Sequence, residues 1–142
     1  MQHTLPVIEL PSADEDPNAA TLLREAAHLV RSEFPAKKIK SLTAHMQSRL
    51  TLISIDKGSV VATAGLEIES DCQRAILEDI VVASEYQRRS LGSSMIKMLE
   101  AKARETGIAT ISVTPVRSAV GFYERLGYES GRWGNIIFDK AL

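Results

Sequence analysis

Most of the residue types that could do chemistry are concentrated in one stretch. It reads Glu78-Asp79-Ile80-Val81-Val82-Ala83-Ser84-Glu85-Tyr86-Gln87-Arg88-Arg89-Ser90-Leu91-Gly92-Ser93. Ile80-Val81-Val82 is a β-branched apolar run of the kind found in strands buried on both faces. It leads into a polar loop carrying Gln87, Arg88 and Arg89, and an amphipathic helix opens at Leu91. The first N–H groups of a helix have no acceptor inside it, and the helix dipole favours an anion in front of them. Gly92 lets a ligand approach the backbone closely, and two guanidinium groups add charge-assisted donors. Together these features make a candidate site for a pyrophosphate. The same residues also fit a plain strand-to-helix connection with solvated arginines.

Glu78 and Asp79 precede the apolar run. Adjacent residues of a strand point to opposite faces, so at most one of them faces a given site. A carboxylate beside Ile80-Val81-Val82 is expected to have its pKa raised by burial, which suits a general base. Glu78 is the first candidate, Asp79 the second, and Glu67 on the preceding strand the third. Each also fits a salt bridge or a strand-edge charge.

The elements around this stretch follow from periodicity. A short strand is expected near Leu5 to Leu10. Asp16 before Pro17 marks a helix start, and Ala20, Leu23, Ala27, Val30 and Phe34 recur at helical spacing up to Pro35. Ile39, Leu42 and Met46 suggest a second helix. Thr51 to Ile55, Val60 to Glu69 and Ala75 to Val82 read as a three-strand meander with turns at Asp56-Lys57-Gly58 and Ser70 to Gln73. A helix lined by Leu91, Met95, Met98, Leu99 and Ala103 follows, stopped by Gly107. Then come a strand over Ile108 to Thr114, a short helix with Phe122, Tyr123 and Leu126 closed by Gly127, and a last strand at Ile136 to Phe138. The order predicts one α+β domain over residues 1–142.

Composition narrows the function classes. The chain has 142 residues, with 17 Lys+Arg against 18 Asp+Glu and a net charge of -1. That balance argues against a strongly basic nucleic-acid binder. No apolar run approaches the roughly 20 residues that span a bilayer, and the residues from Met1 to Pro6 lack the pattern of a signal peptide. The expectation is a cytoplasmic protein with neither a membrane nor a nucleic-acid partner. Cys72, the one cysteine, can form no internal disulfide. No Cys/His metal spacing is present, so no metal is expected. His28 and His45 fall on predicted helices and read as surface or packing residues, and His3 lies outside the motifs. Trp133 fits either a core or an acceptor pocket, and Lys37, Lys38 and Lys40 form a small basic cluster before the second helix.

Gln87-Arg88-Arg89-Ser90-Leu91-Gly92 resembles the coenzyme A loop of the GNAT N-acetyltransferase superfamily, usually written R/Q-x-x-G-x-G/A. Leu77 to Val82 looks like the family's fourth strand, and Ala119 to Tyr128 looks like its last helix and exit. The resemblance spans about Leu77 to Tyr128. It implies a GNAT-like fold, a twisted, mostly antiparallel sheet of six or seven strands flanked by about four helices. It also implies acetyl transfer from acetyl-CoA to an amine of a small molecule, or of a peptide, in a ternary complex. Val81, Val82, Gln87, Arg88, Arg89, Ser90, Leu91, Gly92 and Ser93 would bind the cofactor, with the Val82 N–H as oxyanion donor. Tyr123 would be the general acid, with Glu78 or Asp79 as base. The acidic pair also looks like that of glucosamine-6-phosphate N-acetyltransferases. Homodimers are common in the family.

Two positions depart from the pattern. Ser90 stands where the family's first glycine is usual, and Val116 stands where many members carry an asparagine. Both departures favour a second reading, an acyl-CoA-binding sensor or interaction module without catalysis.

Overall fold

The apolar alternation in the middle of the chain becomes a meander of paired strands in the computed structural model, which describes residues 5–69, 71, 73–132 and 136–142. His3, Cys72 and Trp133 lie outside the described residues. The elements are β1 (Val7–Glu9), α1 (Ala19–Glu33), α2 (Ile39–Ser48), β2 (Leu50–Asp56), β3 (Ser59–Glu69), β4 (Arg74–Val82), α3 (Leu91–Glu105), β5 (Thr110–Val113), α4 (Val120–Arg125), β6 (Glu129–Arg132) and β7 (Ile137–Ala141). The seven strands form one sheet in the order β1-β2-β3-β4-β5-β7-β6. β1 on β2, β5 on β7 and β6 on β7 are antiparallel, whereas β4 and β5 are parallel. None of the described helices is long and apolar enough to cross a membrane.

The chain divides into two compact units, Met1–Gly65 with Asp79–Ile96, and Leu66–Glu78 with Lys97–Leu142. In the first, α1 and α2 bury Leu22, Ala26, Ala27, Val30, Leu42 and Met46 against Ile53, Val60 and Val81. α1 begins later than its sequence suggests. Asp16 closes a turn in front of it, its Oδ1 accepting the Asn18 N–H at 2.7 Å. The packed face is also rotated. Ala19, Leu22, Ala26, Ala27 and Val30 are buried, Ala20 is exposed, and Leu23 and Phe34 are partly covered. The apolar ladder of α1 is wide enough to hold two overlapping faces, and the one centred on alanines is the one that packs. The β2–β3 turn is set by Lys57 and Gly58, both at positive φ, a pair of dihedrals that matches the twist of a hairpin.

In the second unit, Ala75, Leu77, Leu99, Ala103, Ile111, Val113, Tyr123, Tyr128 and Phe138 are buried. Gly107 and Gly127 follow α3 and α4 at φ 84° and 96°, the left-handed conformation that lets a helix stop. β6 is an addition to the sequence reading. Glu129-Ser130-Gly131-Arg132 has no β-forming composition, and the strand exists by pairing with β7.

Candidate functional site

The loop after β4 forms as the sequence predicts, with geometry it does not reveal. A 3₁₀ turn over Ser84–Tyr86 leads the chain out of β4, and Gln87 to Ser90 are exposed. The Gln87 side chain donates from Nε2 to the Val82 carbonyl at 3.0 Å, so it ties the loop to the end of β4. Arg88 and Ser90 stand at φ 64° and 62°, a conformation costing a non-glycine residue about 1–2 kcal/mol. The Ser90 carbonyl accepts from the Ser94 N–H and from the Ser93 and Ser94 hydroxyls at 2.8–3.0 Å. The N–H groups of Leu91, Gly92 and Ser93 are those a helix start leaves without carbonyl partners of its own. Buried Leu91 anchors that start. Arg89 stacks on Tyr86, its guanidinium 5.2 Å from the ring centre. The Tyr86 hydroxyl donates to Asp56 at 2.6 Å. A loop carrying two arginines is thereby held against the end of β2.

β4 itself departs from the expectation of a strand buried on both faces. Val81 is buried, but Ile80 and Val82 are half-buried. The parallel ladder with β5 is confined to Arg74–Ile76 against Thr110–Ser112. The ladder with β5 therefore stops short of Val81 and Val82, the two positions at the end of β4 singled out above.

The two carboxylates at the middle of β4 separate. Asp79 stands at φ 52° with its side chain 2% exposed. One oxygen accepts from Lys37 Nζ at 2.5 Å and the other from Arg49 Nη1 at 2.9 Å. Burial alone would raise its carboxyl. The hydrogen bond from Lys37 and the charge of Arg49 outweigh it and hold the group below its usual range. This corrects the expectation of a raised pKa. Asp79 is an ionised member of an ion-pair cluster, and its oxygens are engaged, so it is poorly suited to accept a proton. Glu78 is half-buried, and one of its carboxylate oxygens lies within 4.8 Å of a Glu67 oxygen on β3.

In the second unit, α4 buries Tyr123 to 5% exposure, between Phe122 (ring centres 5.1 Å apart) and Tyr128 (5.8 Å), both edge-on. Burial pushes the Tyr123 phenol up to about 12. It therefore stays protonated at neutral pH and has a proton to give. Tyr128 is fixed in turn. Its hydroxyl donates to Glu100 at 2.8 Å, and Lys140 reaches the same carboxylate at 3.1 Å and the Leu126 carbonyl at 2.8 Å. Burial and the bond to Glu100 drive the Tyr128 phenol far above its ordinary range. Val116, where many family members have an asparagine, is 49% exposed.

Sequence reasoning missed Arg49, Gly65, Glu100 and Lys140. Their roles come from partners remote in the chain, and no local pattern marks them. A cleft of about 380 Å³ in the first unit, floored by Leu10, Leu23, Met46 and Leu50, includes Arg49 but none of Gln87 to Ser93, so it is not the anion site.

Residues 18–128 match the family model described as the acetyltransferase (GNAT) family. Three similar solved structures are the Tetrahymena GCN5 protein, an aminoglycoside 6'-N-acetyltransferase complexed with coenzyme A, and the ribosomal-protein-S18-alanine N-acetyltransferase of Escherichia coli. The first is 11% identical with a TM-score of 0.81, covering 96% of both chains. The second is 17% identical with a TM-score of 0.79, covering 96% of this chain and 97% of that one. The third is 20% identical with a TM-score of 0.75, covering 97% and 94%. At such identities these likenesses establish the fold, and it is the fold expected from the loop resemblance.

Proposed function

The chain belongs to the GNAT acetyltransferase family, and on that premise we propose that it transfers the acetyl group of acetyl-CoA to the amine of a small molecule by direct attack in a ternary complex. The observation that carries this reading is the run from the half-buried end of β4 through the Gln87–Ser90 loop into α3. It combines strand main chain, two arginines and the free N–H groups of a helix start. Arg88, Arg89 and the main chain of Gln87 to Ser93 hold the pyrophosphate. The pantetheine arm pairs with the end of β4 beside Val81 and Val82. The Val82 N–H receives the developing oxyanion.

The remaining steps are proton transfers. An alkylammonium with a pKa of about 10.4 must lose a proton before attack, at a cost of about 4.6 kcal/mol at pH 7. Glu78, with Glu67 beside it, takes that proton directly or through water. The amine nitrogen bonds to the acetyl carbon and gives its second surplus proton to water, the C–S bond breaks with its electron pair on sulfur, and Tyr123 donates the proton that makes the free thiol and regains one from solvent. A phenol near 12 giving its proton to a thiolate whose acid is about 8.5 works uphill by about 5 kcal/mol in the free protein. Donation therefore accompanies C–S cleavage instead of preceding it.

Calorimetric titration with acetyl-CoA, free CoA and ADP tests the donor site, and a panel of small amines and short peptides with thiol detection tests the acceptor. Micromolar binding and turnover of small amines are expected. Turnover confined to peptides would move the acceptor class, and absence of binding at millimolar ligand by folded protein would end the reading. We place the reaction in the cytoplasm, in a homodimer that light scattering would reveal, without metal, membrane or nucleic acid.

The left-handed Ser90, where a glycine is usual in the family, favours the second reading of an acyl-CoA-binding module without catalysis. Tyr123→Phe separates the two. The enzyme loses at least about tenfold in turnover, about 1.4 kcal/mol of barrier, with acetyl-CoA affinity retained. The module binds and never turns over.

A further inference from the structure

A strand cannot carry its pleat through a left-handed residue, so Asp79 at φ 52° bends β4 two residues before Val81. That bend sets the direction in which the main chain of Val81 and Val82 faces. An aspartate tolerates the conformation better than most residues, but nothing in its neighbours along the chain requires it. The partners of its side chain lie outside β4. Arg49 has its side chain 1% exposed and donates from Nη1 to Asp79 Oδ2 at 2.9 Å. Its Nε donates to the Thr51 hydroxyl at 3.4 Å, and that hydroxyl in turn donates to the Met46 carbonyl at 2.9 Å. The guanidinium rests on Gly65, where an added Cβ would fall 2.4 Å from both its Cζ and its Nε. Gly65 is thus the seat of Arg49, and Arg49 is the tether of Asp79. Lys37, whose side chain is 46% exposed, closes the cluster on the other Asp79 oxygen.

We propose that Arg49, seated on Gly65 and paired with Asp79, is a positioning residue that holds the bend in β4 and so aims the main chain of Val81 and Val82 at the acyl arm of the donor. The assignment rests on the acetyl-CoA reading above for its ligand, but the bend itself can be tested without one. Asp79, a candidate base on sequence grounds, becomes the fastener of the strand that carries the oxyanion donor.

The test uses the full chain in four variants, Arg49→Met, Arg49→Ala, Gly65→Ala and Arg49→Lys, each first checked for a cooperative thermal transition. Amide hydrogen exchange of the ligand-free protein is followed at residues 80–83, with α3 as internal reference. Exchange at 80–83 is expected to accelerate at least about tenfold in Arg49→Met and Gly65→Ala relative to α3, with Arg49→Lys intermediate. Acetyl-CoA affinity is expected to fall at least about tenfold in the same two variants while ADP, which reaches only the phosphate loop, binds within about twofold of the parent. Added guanidinium ion should restore acetyl-CoA affinity in Arg49→Ala. Unchanged exchange at 80–83, or parallel loss of ADP and acetyl-CoA binding, overturns the proposal. If the parent binds no acetyl-CoA, the donor reading fails, while the exchange result still decides whether Arg49 holds the bend. Should Arg49→Met fail to fold, Gly65→Ala and Arg49→Lys carry the same comparison.

Discussion

Each unit of this protein buries a carboxylate with a cation, and the two clusters serve different ends. In the first unit, Asp79 meets two cations, Lys37 and Arg49, and stands in a left-handed bend of β4. In the second, Glu100 on α3 meets Lys140 of β7 and the hydroxyl of Tyr128. The Glu100 cluster is in ordinary helix and strand backbone. It ties together three parts of the chain remote in sequence, and Tyr128 lays its ring edge-on to Tyr123. Buried pairs of this kind seldom add much net stability, because desolvation offsets the attraction. Their geometric consequences are more informative. The Asp79 cluster shapes a main-chain bend, and the Glu100 cluster braces a side chain.

Removing single partners should separate these roles. Lys140→Met leaves the nearly buried Glu100 carboxylate with only a neutral phenol, so a loss of about 3 kcal/mol is expected in urea unfolding. Lys37→Met removes a half-exposed cation and leaves Asp79 its buried Arg49, so about 1 kcal/mol or less is expected. Equal losses would break the distinction between a pair that closes the structure and a cation that only completes one.

Acid should reach the first cluster through Asp79. Its folded pKa lies below the ordinary value of 3.8, so its contribution is present above about pH 4 and is lost as pH falls through the folded value. The stability gap between the parent and Asp79→Asn should therefore shrink on acidification from pH 5 to pH 3, measured by urea unfolding at each pH. A gap independent of pH would mean that Asp79 is not held as the ionised partner.

The contrast also explains what was readable in the sequence. The loop between β4 and α3 was legible because its pattern is local. A strand end, arginines and a helix start follow one another within residues 78–93, and the element order around them appears as periodicity. The meander, both long helices and the glycine stops were legible for the same reason. β6 was not, because its strand conformation comes from β7 and its composition contradicts it. Asp79 was misread because one chain segment shows burial beside Ile80-Val81-Val82 and does not show that Lys37 and Arg49 arrive there. Arg49 has no motif at all, and only the fold places its guanidinium on Gly65. Glu100 resembled any helical surface glutamate until Tyr128 and Lys140 closed over it.

The smallest expected effect isolates what a side-chain tether contributes. Asp79 and Ser90 have similar left-handed dihedrals, φ 52° and 62°, so glycine relieves the same backbone cost at both, about 1–2 kcal/mol, less about 0.5–1 kcal/mol for the freer unfolded chain. At Ser90 the ties run through the carbonyl, which accepts from Ser93 and Ser94, and glycine keeps that carbonyl. Ser90→Gly should therefore stabilise by about 0.5–1 kcal/mol in urea unfolding and leave acetyl-CoA binding as tight or tighter. At Asp79 the same substitution also removes the carboxylate and leaves the buried Arg49 charge without it, so Asp79→Gly should destabilise despite its easier backbone. Opposite signs at two positions of like geometry would locate the stability of the β4 bend in the Asp79 side chain. A stabilising Asp79→Gly would place it in the main chain and weaken the case that Arg49 holds it.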